Sequence, residues 1–170
     1  MSRALEQGRM PTLRGALEAI RANSFNVTTL GAFLAVILLA WILVANLIFA
    51  GLGSGITPTL PHTFQNLLSV QNLPMLIVGT VVGGVFALSV FALSAVAVPM
   101  LLDRPDVELP SAMQVSAAAC LYNWRPMLLW AALIGVFTLA GFLTLYLGLA
   151  VAFPLMGHAT WHAYRDLVRR

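Results

Sequence analysis

His158 and His162 stand four residues apart, the spacing that puts two imidazoles on one helical face and suits a metal ion or a haem iron. Asp103, Asp106, Glu108 and the single cysteine, Cys120, are the further ligands the chain offers, provided the fold brings them to the same end. Flanked by Trp161 and Tyr164, the two histidines equally fit an interfacial belt whose rings lie in apolar surroundings and whose polar tips meet headgroups. A catalytic site needs a nucleophile with a base, or paired acids in a pocket, and neither is evident. No catalytic residue and no cofactor is assigned on this basis, and the chain is expected not to be an enzyme.

The polar residues inside the apolar stretches are Asn46, Thr80, Ser89, Ser94, Thr138 and Thr144. Each can bond a neighbouring helix or its own preceding carbonyl. Asn46, Thr80, Ser89 and Ser94 could instead line a path for a small neutral solute. Gly79, Gly83 and Ala87 form a small-residue stripe of the kind that lets two helix backbones approach closely. Asp103, Arg104, Asp106 and Glu108 form the one dense charge cluster. It reads either as a solvated turn or as a docking knob for a cytoplasmic partner, with Arg104 in reach of a tail held through Asp166.

The elements that must position these residues follow from charge. From Ala22 to Leu102 the chain runs 81 positions without Lys, Arg, Asp or Glu, and Pro126 to Tyr164 is another uncharged run of 39. Water-facing surface needs charge, so lipid is the solvent of these stretches. The first span is expected over 27–50, ended by Gly51, Gly53, Gly55, Pro58 and Pro61, with the polar 62–71 segment at the opposite surface. A second span fits 75–102, kinked near Pro99. As one helix, the last uncharged run would measure about 58 Å, roughly twice the hydrocarbon thickness. It is therefore divided into spans at 126–144 and 147–164, turning between Gly141 and Gly148.

Charge sidedness supports that division. The nine basic residues are all arginine, and with four spans every one of them stays on the cytoplasmic side together with both termini. The net charge of +3 is too small and dispersed for nucleic-acid binding. Two amphipathic helices are expected on the cytoplasmic membrane surface. The first covers 12–22, capped by Thr12, with Leu13, Leu17 and Ile20 on one side and Arg14 and Glu18 on the other. The second covers 111–122, with Met113, Ala117 and Cys120 or Leu121 facing one way and Gln114 the other. A shift of 100 positions superposes Leu13 on Met113 and Asn23 on Asn123, the trace of a unit repeated twice or simply what any surface helix before a hairpin looks like. The expected fold is all-α, four transmembrane helices in two hairpins, each hairpin preceded by a surface helix.

At 95–104 (AVAVPMLLDR) and 157–165 (GHATWHAYR) the chain resembles a bacterial family of predicted integral membrane proteins, the domain of unknown function 2189. Residues 123–130 (NWRPMLLW) are similar to a third signature of that family. The resemblance is to the C-terminal part of typical members, which implies two further helices upstream and a shortened member or a late start here. It implies no activity. Some members are labelled as resembling cytochrome c oxidase subunit I, but two haems and a copper call for more histidines than the three present, so the label implies a respiratory neighbourhood at most. The expected function is a non-enzymatic accessory, assembly or stabilising subunit of a membrane complex in the bacterial inner membrane. The alternatives are a homo-oligomeric transporter or channel for a neutral solute, and metal or haem binding at His158 and His162. The expected partners are the lipid bilayer and either complex subunits or copies of the chain.

Overall fold

The computed structural model describes residues 8, 10, 12–53 and 69–168. The expectations for the N-terminal arm, for the glycine- and proline-rich segment with His62, and for Arg169 and Arg170 fall outside the described residues. Every regular element among those described is helical. The chain divides into two compact units, Met1–Gly31 with Phe91–Arg170, and Ala32–Val90.

Helix α1 (Leu13–Ala22) starts where Thr12, in extended conformation, accepts the Gly15 N–H on its Oγ1 at 3.2 Å. It stops at Asn23 (φ −132°, ψ 40°), and α2 (Ser24–Leu52) begins at the next residue. The Asn23 carbonyl accepts the Val27 N–H at 3.1 Å, so the chain changes direction at one residue without losing the new helix's first bond. The same junction recurs 100 residues later. Helix α5 (Leu109–Tyr122) ends at Asn123 (φ −119°, ψ 41°), α6 (Trp124–Leu143) follows at once, and Met127 N–H reaches the Asn123 carbonyl at 3.1 Å.

In the Ala32–Val90 unit, α2 and α3 (Leu73–Ser94) are apolar all round, the mark of a helix solvated by hydrocarbon. Val36, Leu39, Leu43 and Leu47 on α2 and Ile77, Val81 and Val85 on α3 are exposed, which water would penalise and lipid does not. The two helices meet where the Trp41 indole lies on Gly83 and its ring stands 5.6 Å from that of Phe86.

The other unit is centred on α4 (Ala97–Asp103), whose Ala97, Pro99, Met100 and Leu101 are buried. The α3–α4 break has two causes. Pro99 has no N–H to give the Ala95 carbonyl and its ring crowds that group. One turn earlier the Ser116 hydroxyl of α5 enters the helix ladder, donating to the Ala92 carbonyl at 2.7 Å and accepting the Val96 N–H at 3.0 Å. An inserted side chain of this kind interrupts a helix. The break therefore falls at Ala95 and Val96, within the stretch read from sequence as one kinked span. Against α4, α5 turns Leu109, Ala112, Ser116 and Cys120, a narrow file of mostly small residues. Met113 and Ala117, expected on the inward face, sit half-buried at its flanks, and Leu121 is exposed.

Helix α7 (Leu147–Val168) runs back along α6 from a turn at Thr144–Tyr146. Leu145 (φ 52°) and Tyr146 (φ 69°) are both left-handed, a conformation that costs a side-chain-bearing residue about 1–2 kcal/mol. Thr144 offsets part of that cost by accepting the Gly148 N–H on Oγ1 at 2.9 Å, which caps α7. A Cβ added at Gly148 would lie 3.1 Å from Gly141 Cα, so glycine at both positions lets the two backbones touch.

Three helical stretches are long and apolar enough to cross a membrane: Ser24–Leu52, Val70–Asp103 and Trp124–Leu143. The second combines a short 3-10 turn (Val70–Asn72) with α3 and α4. Four were expected, and α7 is not among the three. Its first half is apolar, but Pro154, His158, Thr160 and His162 dilute the second half below what hydrocarbon would select.

Candidate functional site

The polar side chains that the fold concentrates sit where α1, α2, α4 and α5 meet. A helix leaves its last carbonyls and first N–H groups without internal partners. Asn23 and Asn26 supply them. Asn23 Nδ2 donates to the Leu101 carbonyl, near the end of α4, at 3.2 Å, and to the Val107 carbonyl at 3.3 Å. Asn26 Nδ2 donates to Asn23 Oδ1 at 2.8 Å and to the Val107 carbonyl at 3.4 Å. Its Oδ1 accepts the Leu109 N–H at 3.3 Å, so the start of α5 is capped by a side chain from another helix. Asn23 is buried, and a neutral amide that both donates and accepts is the group that can satisfy such a mixture of carbonyls and N–H. The two asparagines thus hold the charged loop after α4 from behind.

The loop itself divides. Arg104, Asp106 and Glu108 are exposed, whereas Asp103 is partly covered and its Oδ2 accepts the Tyr164 hydroxyl at 3.1 Å. Tyr164 is buried at 1% exposure, with the Arg104 guanidinium close to the same hydroxyl. This contact joins positions 61 residues apart and pins the end of α7 to the end of α4. Asp166, considered from sequence as the tie to Arg104, is exposed one residue beyond Arg165.

His158 and His162 both lie on α7 and both are exposed. Among the described residues no group of three or more His, Cys, Asp and Glu side chains is placed to hold a metal ion, so Cys120, Asp103, Asp106 and Glu108 are not brought to the histidine pair. Cys120 is buried on α5, its sulfur 3.8 Å from the Ala92 carbonyl, and burial pushes its thiol pKa up. Such a thiol is protonated and inert.

Of the small-residue stripe, Gly83 carries the Trp41 indole, Gly79 has open space where a Cβ would be, and Ala87 is exposed. Two of the polar residues inside the spans are turned onto their own helices. Asn46 Nδ2 bonds the Ile42 carbonyl at 2.7 Å and Ser89 Oγ the Val85 carbonyl at 2.8 Å. Thr80 and Ser89, nine residues apart on α3, point about 180° from each other.

Asn23, Asn26, Ser116 and Tyr164 are the residues whose roles sequence reasoning missed. Asn23 left one signal, its correspondence with Asn123. The two asparagines nevertheless act differently, because Asn123 Nδ2 folds back on the Ala119 carbonyl at 3.0 Å. Ser116 left none, since a serine that bridges a helix break looks like any serine until the break is seen.

Comparison with known proteins identifies the chain by its first 103 residues, which match the predicted integral membrane protein family DUF2189. The protein belongs to that family. The matched part, residues 1–103, contains α1 to α4 and Asn23, Asn26 and Asp103. Residues 123–130 and 157–165, which carried part of the resemblance read from sequence, lie beyond it. No curated protein and no solved structure matches the chain.

Proposed function

We propose that this integral membrane protein is a non-enzymatic accessory, assembly or stabilising subunit of a complex in the bacterial cytoplasmic membrane, crossing it four times with both termini inside. One observation carries the accessory reading. Asn46 and Ser89, inside the spans, are bonded to carbonyls of their own helices and not prepared for a solute, while apolar surface is abundant. Thr80 and Ser89 diverge round α3, which speaks against a transport path lined by them. The fourth crossing is supported by the Tyr164–Asp103 bond. It brings the far end of α7 to the level where α4 ends, as a helix that returns across the bilayer requires.

Binding of a metal or haem at His158 and His162 is a separate reading, supported by their spacing of four residues on α7 and by their exposure. Mass spectrometry of the tagged protein extracted from its native membrane in mild detergent tests the main reading. Stoichiometric co-purifying subunits, a respiratory oxidase being the first to look for, are the expected result. A clean homo-oligomer without partners would overturn it and favour transport. Labelling of single cysteines near the two termini in intact cells tests the four-span topology independently, with protection at both ends expected.

A further inference from the structure

The α6–α7 turn has the composition of a span and not of a loop. From 139 to 157 no residue is charged, and Thr144 and Tyr146 are the only polar side chains. Leu143, Leu145 and Leu147 are exposed before, at and after the bend, Leu145 at 83%. They continue, without a polar break, the exposed apolar surface that Leu133, Val136 and Leu139 give the α6 span. A turn that meets water is commonly built from glycine, proline, asparagine, aspartate and serine. This one presents leucine instead.

Its backbone is closed in the way hydrocarbon requires. Tyr146 N–H reaches the Gly141 carbonyl and Leu145 N–H the Phe142 carbonyl, both at 3.0 Å, the paired bonds of a Schellman motif with leucine at the left-handed position where glycine is usual. Leu147 N–H bonds the Thr144 carbonyl and Leu149 N–H the Tyr146 carbonyl, both at 3.1 Å. Thr144 N–H bonds the Ala140 carbonyl at 3.2 Å and Gly148 N–H the Thr144 hydroxyl, so every N–H from Thr144 to Leu149 has an acceptor within the turn and its helices. The Thr144 hydroxyl proton is itself directed back at the Ala140 and Gly141 carbonyls. Irregular backbone is kept out of lipid because it would strand such groups. This turn strands none of these N–H groups.

Length sets the depth. Exposed Arg125 near the start of α6 and exposed Asp166 near the end of α7 are charged and belong at headgroup level. From Arg125 to Leu143 is about 27 Å of helix, and from Asp166 back to Leu147 about 28 Å. A tilt of about 20° leaves roughly 25–27 Å along the membrane normal, short of the ~30 Å of hydrocarbon. We infer that the second hairpin turns back inside the far leaflet, with Leu143, Leu145 and Leu147 among lipid acyl chains. Residues 142–147 are all exposed, so the turn offers no single face to a protein partner, whereas fluid chains cover it from every side. This deepens the four-crossing reading and rests on it for the surface that the turn approaches. No soluble partner on that side meets the turn.

The test puts a spin label at Leu145→Cys in the full-length protein freed of its own cysteine by Cys120→Ala, reconstituted in liposomes of phosphatidylethanolamine and phosphatidylglycerol. Relaxation by oxygen, which partitions into hydrocarbon, is compared with relaxation by a water-soluble nickel chelate. Oxygen is expected to dominate at 145, and the chelate to dominate at Arg104→Cys in the exposed loop after α4. Leu143→Cys, in regular helix, repeats the measurement where the left-handed position does not accept the label, and thermal melting checks that each variant folds. Access of the chelate to 145 equal to its access to 104 would overturn the inference. A label at 145 relaxed by neither reagent would mean that protein covers the turn, and would overturn it too. A membrane-impermeant maleimide separates this inference from the four-crossing reading. Leu145→Cys is expected to stay unlabelled in spheroplasts and in inverted vesicles until the membrane is dissolved. Labelling in spheroplasts alone would overturn the inference and leave four crossings standing, whereas labelling in inverted vesicles alone would overturn both.

Discussion

Replacing Asn23 separates hydrogen bonding from mere space filling at the junction of α1, α2, α4 and α5. Its side chain donates to the Leu101 and Val107 carbonyls and accepts from Asn26. Three such bonds, at about 1 kcal/mol net each, total about 3 kcal/mol. In Asn23→Ala the Val107 carbonyl keeps its second donor, Asn26 Nδ2, so the expected loss is closer to 2 kcal/mol. For a chain of 170 residues that corresponds to a fall of roughly 4–8 °C in Tm. Asn23→Asp is the sharper variant. It keeps shape and volume but turns a carboxylate oxygen toward two backbone carbonyls in a buried site, so it should cost more than alanine, by about 1–3 kcal/mol. Thermal unfolding in detergent, followed by circular dichroism, measures both. Amide exchange at Leu109, capped by Asn26, should accelerate in both variants. If aspartate were as well tolerated as alanine, or if alanine left Tm unchanged, the argument from donor geometry would be wrong.

Ser116→Ala removes the hydroxyl between the Ala92 carbonyl and the Val96 N–H. Two buried polar groups lose their partners, and stability should fall by about 2–4 kcal/mol in the same melt, unless the helix closes across Ala95 and loses its break. Gly83→Ala puts a Cβ 2.9 Å from the Trp41 ring and should lower Tm, with Trp41→Leu restoring it, while Gly79→Ala, in open space, should leave Tm unchanged. Leu145→Gly relieves a left-handed residue in the α6–α7 turn and should raise stability by about 1 kcal/mol. Cys120 should resist alkylation at pH 8 in the folded protein and react quickly once unfolded, because burial raises its thiol pKa. A raised pKa in the folded state favours the neutral thiol, so whatever stability it adds is lost as pH climbs into the alkaline range where an exposed thiol ionises.

The class of the protein was written in its charge. An 81-residue stretch with no ionisable chain-bearing group other than histidine can be solvated only by lipid, and inside lipid a backbone that must satisfy itself becomes helix. The places where helices stop were legible for related reasons. Thr12 caps α1, and Pro99 disturbs the helix one turn ahead of itself. Periodicity misled at α5, because the face that packs is lined by Ala112, Ser116 and Cys120, residues too small to stand out by hydropathy. At α7, charge counting called for a crossing while the histidine-bearing half lacks the hydropathy of one.

What tertiary structure alone decided is which polar side chain meets which distant backbone group. Asn23 with Leu101, Ser116 with Ala92 and Tyr164 with Asp103 bridge separations of 78, 24 and 61 residues. Hydrophobic burial is non-directional and adds up from composition, so a sequence reveals it. A hydrogen bond depends on the position of two atoms to within a few tenths of an ångström, and that position exists only after the helices have packed.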